Sequence, residues 1–106
     1  DLDLVGCGRL GLRIAINLMQ THRGGPKVIS AFDGQEISGG DVIFTLLGAE
    51  IGEAKTDFIK RICTHDEDFR KVESHTEYIT EENIDLIDGD VVIIVIAGII
   101  IINVKK

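Results

Sequence analysis

Little in this 106-residue sequence points to a disulfide framework, a membrane span or a nucleic-acid surface. Only two cysteines occur, Cys7 and Cys63, far apart in the chain. That excludes the cysteine-dense scaffold of a small secreted domain and fits a reducing cytoplasm. Long hydrophobic runs are lacking too. The longest, Val91 to Ile102 with Gly98 inside it, is too short to cross a bilayer as a helix. No signal peptide is visible. Positive charge is in deficit: 11 Lys and Arg against 18 Asp and Glu give a formal net charge of −7. Binding to nucleic acid or to an anionic membrane through bulk charge is therefore not expected. His22, His65 and His75 are scattered, no Cys-x-x-Cys pair is present, and the acidic stretch 66–68 reads as a solvated loop. No metal site is expected on those grounds. No nucleophile–base constellation stands out, so no catalytic residue is assigned.

What is present suits one small domain covering residues 1–106. Hydrophobic residues make up 44% and charged residues 27%, as in ordinary globular domains. The first residue is not Met, and the end, "GIIIINVKK", carries no turn or cap. The chain is expected to be part of something longer, cut short at its C-terminus. Leu2 to Val5 reads as a strand buried on both faces. Leu10 to Thr21 reads as a helix, with Leu10, Ile14 and Leu18, and Ala15 and Met19, at helical spacing. Lys27 to Phe32 is a second strand, ended by Asp33-Gly34. Residues 34 to 49 have mixed character. Gly52 to Cys63 reads as a helix. A third strand is expected around Val72, Ser74, Thr76 and Tyr78. Thr80 caps a short helix running to about Ile87. Val91 to Ala97, "VVIIVIA", reads as a central parallel strand. Strands alternating with helices predict an α/β, Rossmann-like three-layer domain with a mostly parallel sheet. Ile99 to Ile102 would stay exposed unless further chain or a second copy covers it, so a homo-dimer or a further C-terminal half is expected.

The stretch "VGCGRLG" places Gly6, Gly8 and Gly11 at G-x-G-x-x-G spacing, between the first strand and the first helix. Alone this is a weak signal. Its context strengthens it, because an acid, Asp33, ends the next strand. Gly6 permits a tight turn, Gly8 lets backbone approach phosphate, and Gly11 lets helix and strand pack closely. Asp33 stands where an acid binds ribose hydroxyls. Cys7, Arg9 and Leu10 belong to the same loop. Arg9 lies near any bound phosphate, and Cys7 is read as a small residue tolerated by the turn rather than a catalytic thiol.

Four segments together resemble the nucleotide-binding core of the ThiF/HesA/ubiquitin-activating superfamily. They are "DLDLVGCGRLGLRIAINLM", "ISAFDGQEI", "LLGAEIGEAKTDFIKRI" and "TEENIDLIDGDVVIIVIAG". The resemblance implies ATP with magnesium and adenylation of a carboxylate, on a small molecule or a small partner protein. It implies that Gly6, Gly8 and Gly11 line the phosphates, that Asp33-Gly34 holds the ribose, and that Lys55 of Gly52-Glu53-Ala54-Lys55 reaches the phosphates. Two family features are missing. Where the family carries Asn-x-Asn-Arg-Gln, this chain has Asp41, Ile43, Phe44 and Thr45 in the corresponding places, so the arginine is absent. The family's magnesium-binding acid after the last strand is absent from "VIAGII". Binding without adenylation, a different substrate set, or groups supplied by a partner subunit all remain open.

Two other classes share these residues. The glycine loop with Asp33 fits NAD(P) as well, and Ala97-Gly98 resembles the strand end of an oxidoreductase's cofactor domain. The loop is also similar to the start of TrkA-type ligand-sensing modules, although the long segment between Gly34 and Gly52 fits those poorly. A structural domain with no ligand is the blandest alternative.

Overall fold

Alternation along the strands decides which face of the sheet is covered. The computed structural model describes residues 1–20, 24–64 and 70–105. Thr21, His22, His65 and the acidic stretch 66–68 lie outside them. β1 (Leu2–Val5) pairs in parallel with β2 (Val28–Phe32), and β2 with β3 (Lys71–His75). In this register Leu4 lies beside Ala31, and Leu2 beside Ile29, which in turn lies beside Val72. All five belong to one buried apolar cluster. The same face receives α1 (Arg9–Met19) through Leu12 and Ala15, and α3 (Lys55–Cys63) through Phe58 and Ile59. Both helices are right-handed crossovers on that face, and they touch each other.

Residues at the intervening positions face the other way. Asp3 is buried there, where the Gly89 N–H donates to its Oδ2 at 2.7 Å. Burial pushes the Asp3 carboxyl above its ordinary range. Phe32 and its cross-strand neighbour His75 stack there with ring centroids 4.5 Å apart.

β4 (Val91–Ile96) pairs in parallel with the opposite edge of β1. A fifth strand, β5 (Ile99–Val104), then runs back antiparallel to β4. The full order is β3-β2-β1-β4-β5. The domain is thus α/β and Rossmann-like, with a mostly parallel sheet. The sequence reading counted four strands and made β4 central. The structure puts β4 one strand from the edge. The cause is the turn at Ala97-Gly98, whose φ values of 48° and 81° are both positive, as in two-residue hairpin loops. Such a loop can only return the chain antiparallel. Alanine gives no signal for that turn, so β5 was not foreseen.

Four other boundaries differ, the first being that β3 ends at His75, short of the expected Thr76 and Tyr78. Residues 34–54 contain a short helix, α2 (Val42–Leu46), that anchors Phe44 in the core. α3 starts at Lys55 rather than Gly52, because Gly52 is left-handed at φ +93° and ends the preceding turn. The helix expected from Thr80 contracts to a single 3₁₀ turn at Ile84–Leu86. Asn83 explains this. Its amide donates to the Tyr78 carbonyl and to the Glu77 carboxylate, each at 2.8 Å, and its oxygen accepts the Thr80 N–H at 2.7 Å. Those local bonds compete with helical ones. No helix among the described residues is long and apolar enough to cross a membrane.

Candidate functional site at the ends of β1, β2 and β4

The chain leaves β1 toward β2 on one side, while β4 flanks it on the other. Open α/β sheets bind ligands beyond the carboxyl ends of their strands, at such a reversal. A cleft of about 430 Å³ lies there. Its lining includes Val5 and Gly6 after β1, Phe32, Asp33 and Gln35 after β2, and Val95, Ile96 and Ala97 at the end of β4. Tyr78 and Ile79, from the β3–β4 connection, close one side.

The three loop glycines have different surroundings. Gly6 has φ +101°, and a Cβ there would lie 2.4 Å from the Val95 carbonyl oxygen. Its N–H donates to the Phe32 carbonyl at 2.9 Å. At Gly11 a Cβ would lie 2.2 Å from the Gly6 carbonyl oxygen, because α1 comes down directly onto the turn. At Gly8 a Cβ would meet nothing within 4 Å. Gly8 is the N-cap of α1 and carries no side chain to occupy the first N–H groups of that helix. Packing inside the fold accounts for Gly6 and Gly11. Only open space adjoins Gly8.

Asp33 is almost fully buried and held by two backbone donors. The Cys7 N–H reaches its Oδ2 and the Gln35 N–H its Oδ1, both at 2.8 Å. This fixes the carboxylate against the glycine loop while each oxygen keeps a further lone pair. Gly34 is packed under Tyr78: a Cβ there would lie 2.5 Å from the ring. Arg9 is exposed at the start of α1, and Leu10 is half-buried beside it. Ala97 reaches the cleft, whereas Gly98 forms the second half of the hairpin turn.

Lys55 is not the solvated lysine that its place on a helix's first turn suggests. It is 6% exposed. Its Nζ donates to Gln35 Oε1 at 2.9 Å, lies 3.5 Å from Asp41 Oδ1, and sits 5.6 Å over the Phe44 ring. Asp41 in turn accepts the Ser38 N–H at 2.8 Å. That donor, together with the Lys55 charge, holds the Asp41 carboxyl below its usual range. Gln35 and Asp41 were given no role by sequence reasoning. The signal for Asp41 was its place in the register against Asn-x-Asn-Arg-Gln. Phe44, in the arginine's place of that register, is buried against Phe58 with ring centroids 5.7 Å apart.

Neither cysteine is set up as a nucleophile. Burial pushes the Cys7 thiol far above its ordinary range, reinforced by the neighbouring Asp33 carboxylate. Burial alone pushes the Cys63 thiol up to about 11. Both stay protonated at neutral pH and are free. The native protein is expected to resist iodoacetamide at pH 8, and both thiols should react once it is unfolded in urea. Native labelling of Cys63 should climb about tenfold per pH unit toward 11. Unfolded thiols ionise near 9.0, so burial costs stability as pH rises above that value. Fast labelling of Cys7 at pH 8 would contradict the buried geometry.

Fold and cleft together define a Rossmann-like α/β domain with a glycine loop and an acid poised at its switch point. Its structural neighbours are ThiF-family proteins. It is similar to HcgE from Methanothermobacter marburgensis, solved with guanylylpyridinol and ATP bound. That likeness has a TM-score of 0.85 and 54% identity, over 92% of this chain and 47% of HcgE. It is 43% identical over 98 residues to an uncharacterized protein, MJ0693, of Methanocaldococcus jannaschii. The match covers 92% of this chain and 39% of that one. The chain thus spans less than half the length of both. The ATP complex of Escherichia coli tRNA N6-threonylcarbamoyladenosine dehydratase, TcdA, matches with a TM-score of 0.74 at 21% identity. It covers 90% of this chain and 40% of TcdA, and at that identity shows the fold alone. No protein-family model matches the chain.

Proposed function

We propose that residues 1–106 form one ATP-binding domain of a ThiF/HesA-like enzyme. The observation that carries this is the 54% identity to ATP-bound HcgE over 92% of the chain, joined to a glycine loop whose middle member faces open space. In this reading the ribose hydroxyls bond to the free lone pairs of Asp33. The base lies against Tyr78, Ile79 and Ile96. The triphosphate crosses Gly6, Cys7 and Gly8 and takes the N–H groups at the start of α1. Lys55 exchanges its Asp41 contact for a phosphate oxygen, neutralising charge that develops during transfer. Leu10, Gly11 and Gly34 shape the loop rather than touch the nucleotide.

The reaction we infer is adenylation of a carboxylate. The carboxylate oxygen bonds to the α-phosphorus, and pyrophosphate leaves with the electron pair of the broken P–O bond. The likeness to HcgE favours an acceptor of the guanylylpyridinol class. Among the described residues no group of three His, Cys, Asp or Glu is placed to hold a metal ion, and no acid ends β4. Magnesium enters with the nucleotide, as ATP–Mg. The two free, buried thiols suit a reducing cytoplasm. A second copy covering the exposed apolar face of β5 completes the proposal. Light scattering of the full-length protein should give a dimer, and a monomer would remove that element.

Calorimetric titration of the full-length protein with ATP–Mg, NAD and NADP tests the main reading. ATP should bind and the dinucleotides should not. Binding of NAD or NADP alone would overturn the reading in favour of an oxidoreductase or a TrkA-like sensor. Binding of none would leave a structural domain.

A further inference from the structure

Two guanidinium groups have no use in the site described so far. Arg9 and Arg13 stand four residues apart on α1, so they project from one side of the helix as neighbours. Both are exposed, and among the described residues neither has an ion-pair partner. Together they line a second cleft, of about 570 Å³, between α1 and α2. In a chain of net charge −7, two unpaired cations facing one cleft mark a place for an anion. Among the described residues no other side chain lining the cleft is a hydrogen-bond donor. The far wall carries Val42, Ile43 and Leu46, and the acid there, Asp41, already accepts from Ser38 and pairs with Lys55. Phe44 borders the same space. It stands where the family carries an arginine, so the cleft lacks a guanidinium on its α2 wall and carries two on its α1 wall.

Lys55 connects the two clefts. Its Nζ donates to Gln35, which lines the first, and lies beside Asp41, which lines the second. Arg9 directly follows Gly8, so their Cα atoms are about 3.8 Å apart. A polyphosphate that starts from a ribose held at Asp33, crosses the open space at Gly8 and passes Lys55 therefore runs out into the α1–α2 cleft. Its first phosphate stays over the loop, at the mouth of the first cleft. Its distal phosphates reach the arginines.

We propose that Arg9 and Arg13 hold the β- and γ-phosphates of ATP, and the pyrophosphate once it leaves. The assignment deepens the ATP reading above and rests on it for the choice of ligand. When the acceptor's carboxylate oxygen bonds to the α-phosphorus, the bond from that phosphorus to the α–β bridging oxygen breaks. Its electron pair stays on pyrophosphate. Negative charge thus grows at the end of the nucleotide that the two guanidinium groups face, where positioned cations stabilise it. Guanidinium forks bind phosphate oxygens bidentately, which favours Arg over Lys at both places.

The test uses the full-length protein and titrates AMP, ATP and pyrophosphate separately, each with magnesium. Wild-type protein should bind ATP more tightly than AMP, and pyrophosphate should bind on its own and displace ATP. Arg13→Ala should weaken ATP and pyrophosphate at least about tenfold, with AMP within about twofold of wild type. Arg9→Ala should act in the same direction, and Arg13→Lys should recover part of the loss. Exposure of Arg13 predicts an unchanged thermal midpoint in both of its variants. The proposal falls, and the ATP reading survives, if ATP and pyrophosphate affinities are unchanged in both alanine variants. It falls equally if AMP weakens as much as ATP, because the arginines would then be shaping the loop rather than holding the distal phosphates. Wild-type protein that binds neither ATP nor AMP, but binds pyrophosphate through Arg13, would sink the ATP reading and leave this site standing. Binding of neither ATP nor pyrophosphate would overturn both.

Discussion

Replacing Gly8 with valine is expected to lower ATP affinity at least about 100-fold while the domain stays folded. A Cβ at Gly8 meets nothing within 4 Å, so the branched side chain enters only the space assigned to phosphate. Displacing the phosphates from two backbone N–H groups forfeits charge-assisted hydrogen bonds worth about 1.5–3 kcal/mol each. Each 1.4 kcal/mol is about tenfold in affinity. The cost to the fold is confined to the helix cap, where losing a favoured residue costs about 1 kcal/mol or less. Backbone strain adds nothing, since Gly8 sits at φ −74° and ψ −163°, an extended conformation open to valine. Calorimetry for affinity and thermal denaturation for the fold measure the two effects independently. Undiminished affinity would show that the loop is not the phosphate site.

Gly11→Ala should do the opposite: a large loss of stability from a single methyl group. Alanine in a helix ordinarily stabilises by about 1 kcal/mol relative to glycine. Here the added Cβ would lie 2.2 Å from the Gly6 carbonyl oxygen and 3.1 Å from its carbon. Both are backbone atoms of a turn that is itself pinned by the Gly6 N–H bond to Phe32. Neither partner is a flexible side chain that could swing away. Overpacking of this kind costs about 3 kcal/mol even after the helix gain. For a domain of this size that lowers the thermal midpoint by at least about 10 °C. A raised midpoint for Gly11→Ala would show that α1 does not rest on the turn as described. The pair of substitutions separates two meanings of glycine in one motif.

How far the motif could be read without coordinates differs residue by residue. The contact roles given to Gly6 and Gly11 followed from spacing alone, because a strand turning into a helix within six residues leaves little freedom. Lys55 was placed in the first turn of its helix, and only the family likeness gave it a role. Its burial beside Gln35, Asp41 and Phe44 depends on where residues 34–54 fold back, and those residues carry no clear period. Phe44 shows the same limit. Its register against a family arginine was legible, but the replacement of a charge by an aromatic anchor on Phe58 was not.

The alternation of helical and strand patterns, the glycine spacing and the acid ending the second strand are local properties, set by backbone sterics and side-chain period. The amino-acid sequence by itself determined these, and with them the mostly parallel, right-handed architecture. Contacts between distant segments were decided only by the tertiary structure. The Ala97-Gly98 hairpin adds an antiparallel edge, Tyr78 packs over Gly34, and α2 faces Arg9 and Arg13 across a second cleft. Each depends on a backbone conformation or a chain reversal that its residue types merely permit, and that becomes favourable once the rest of the sheet is in place.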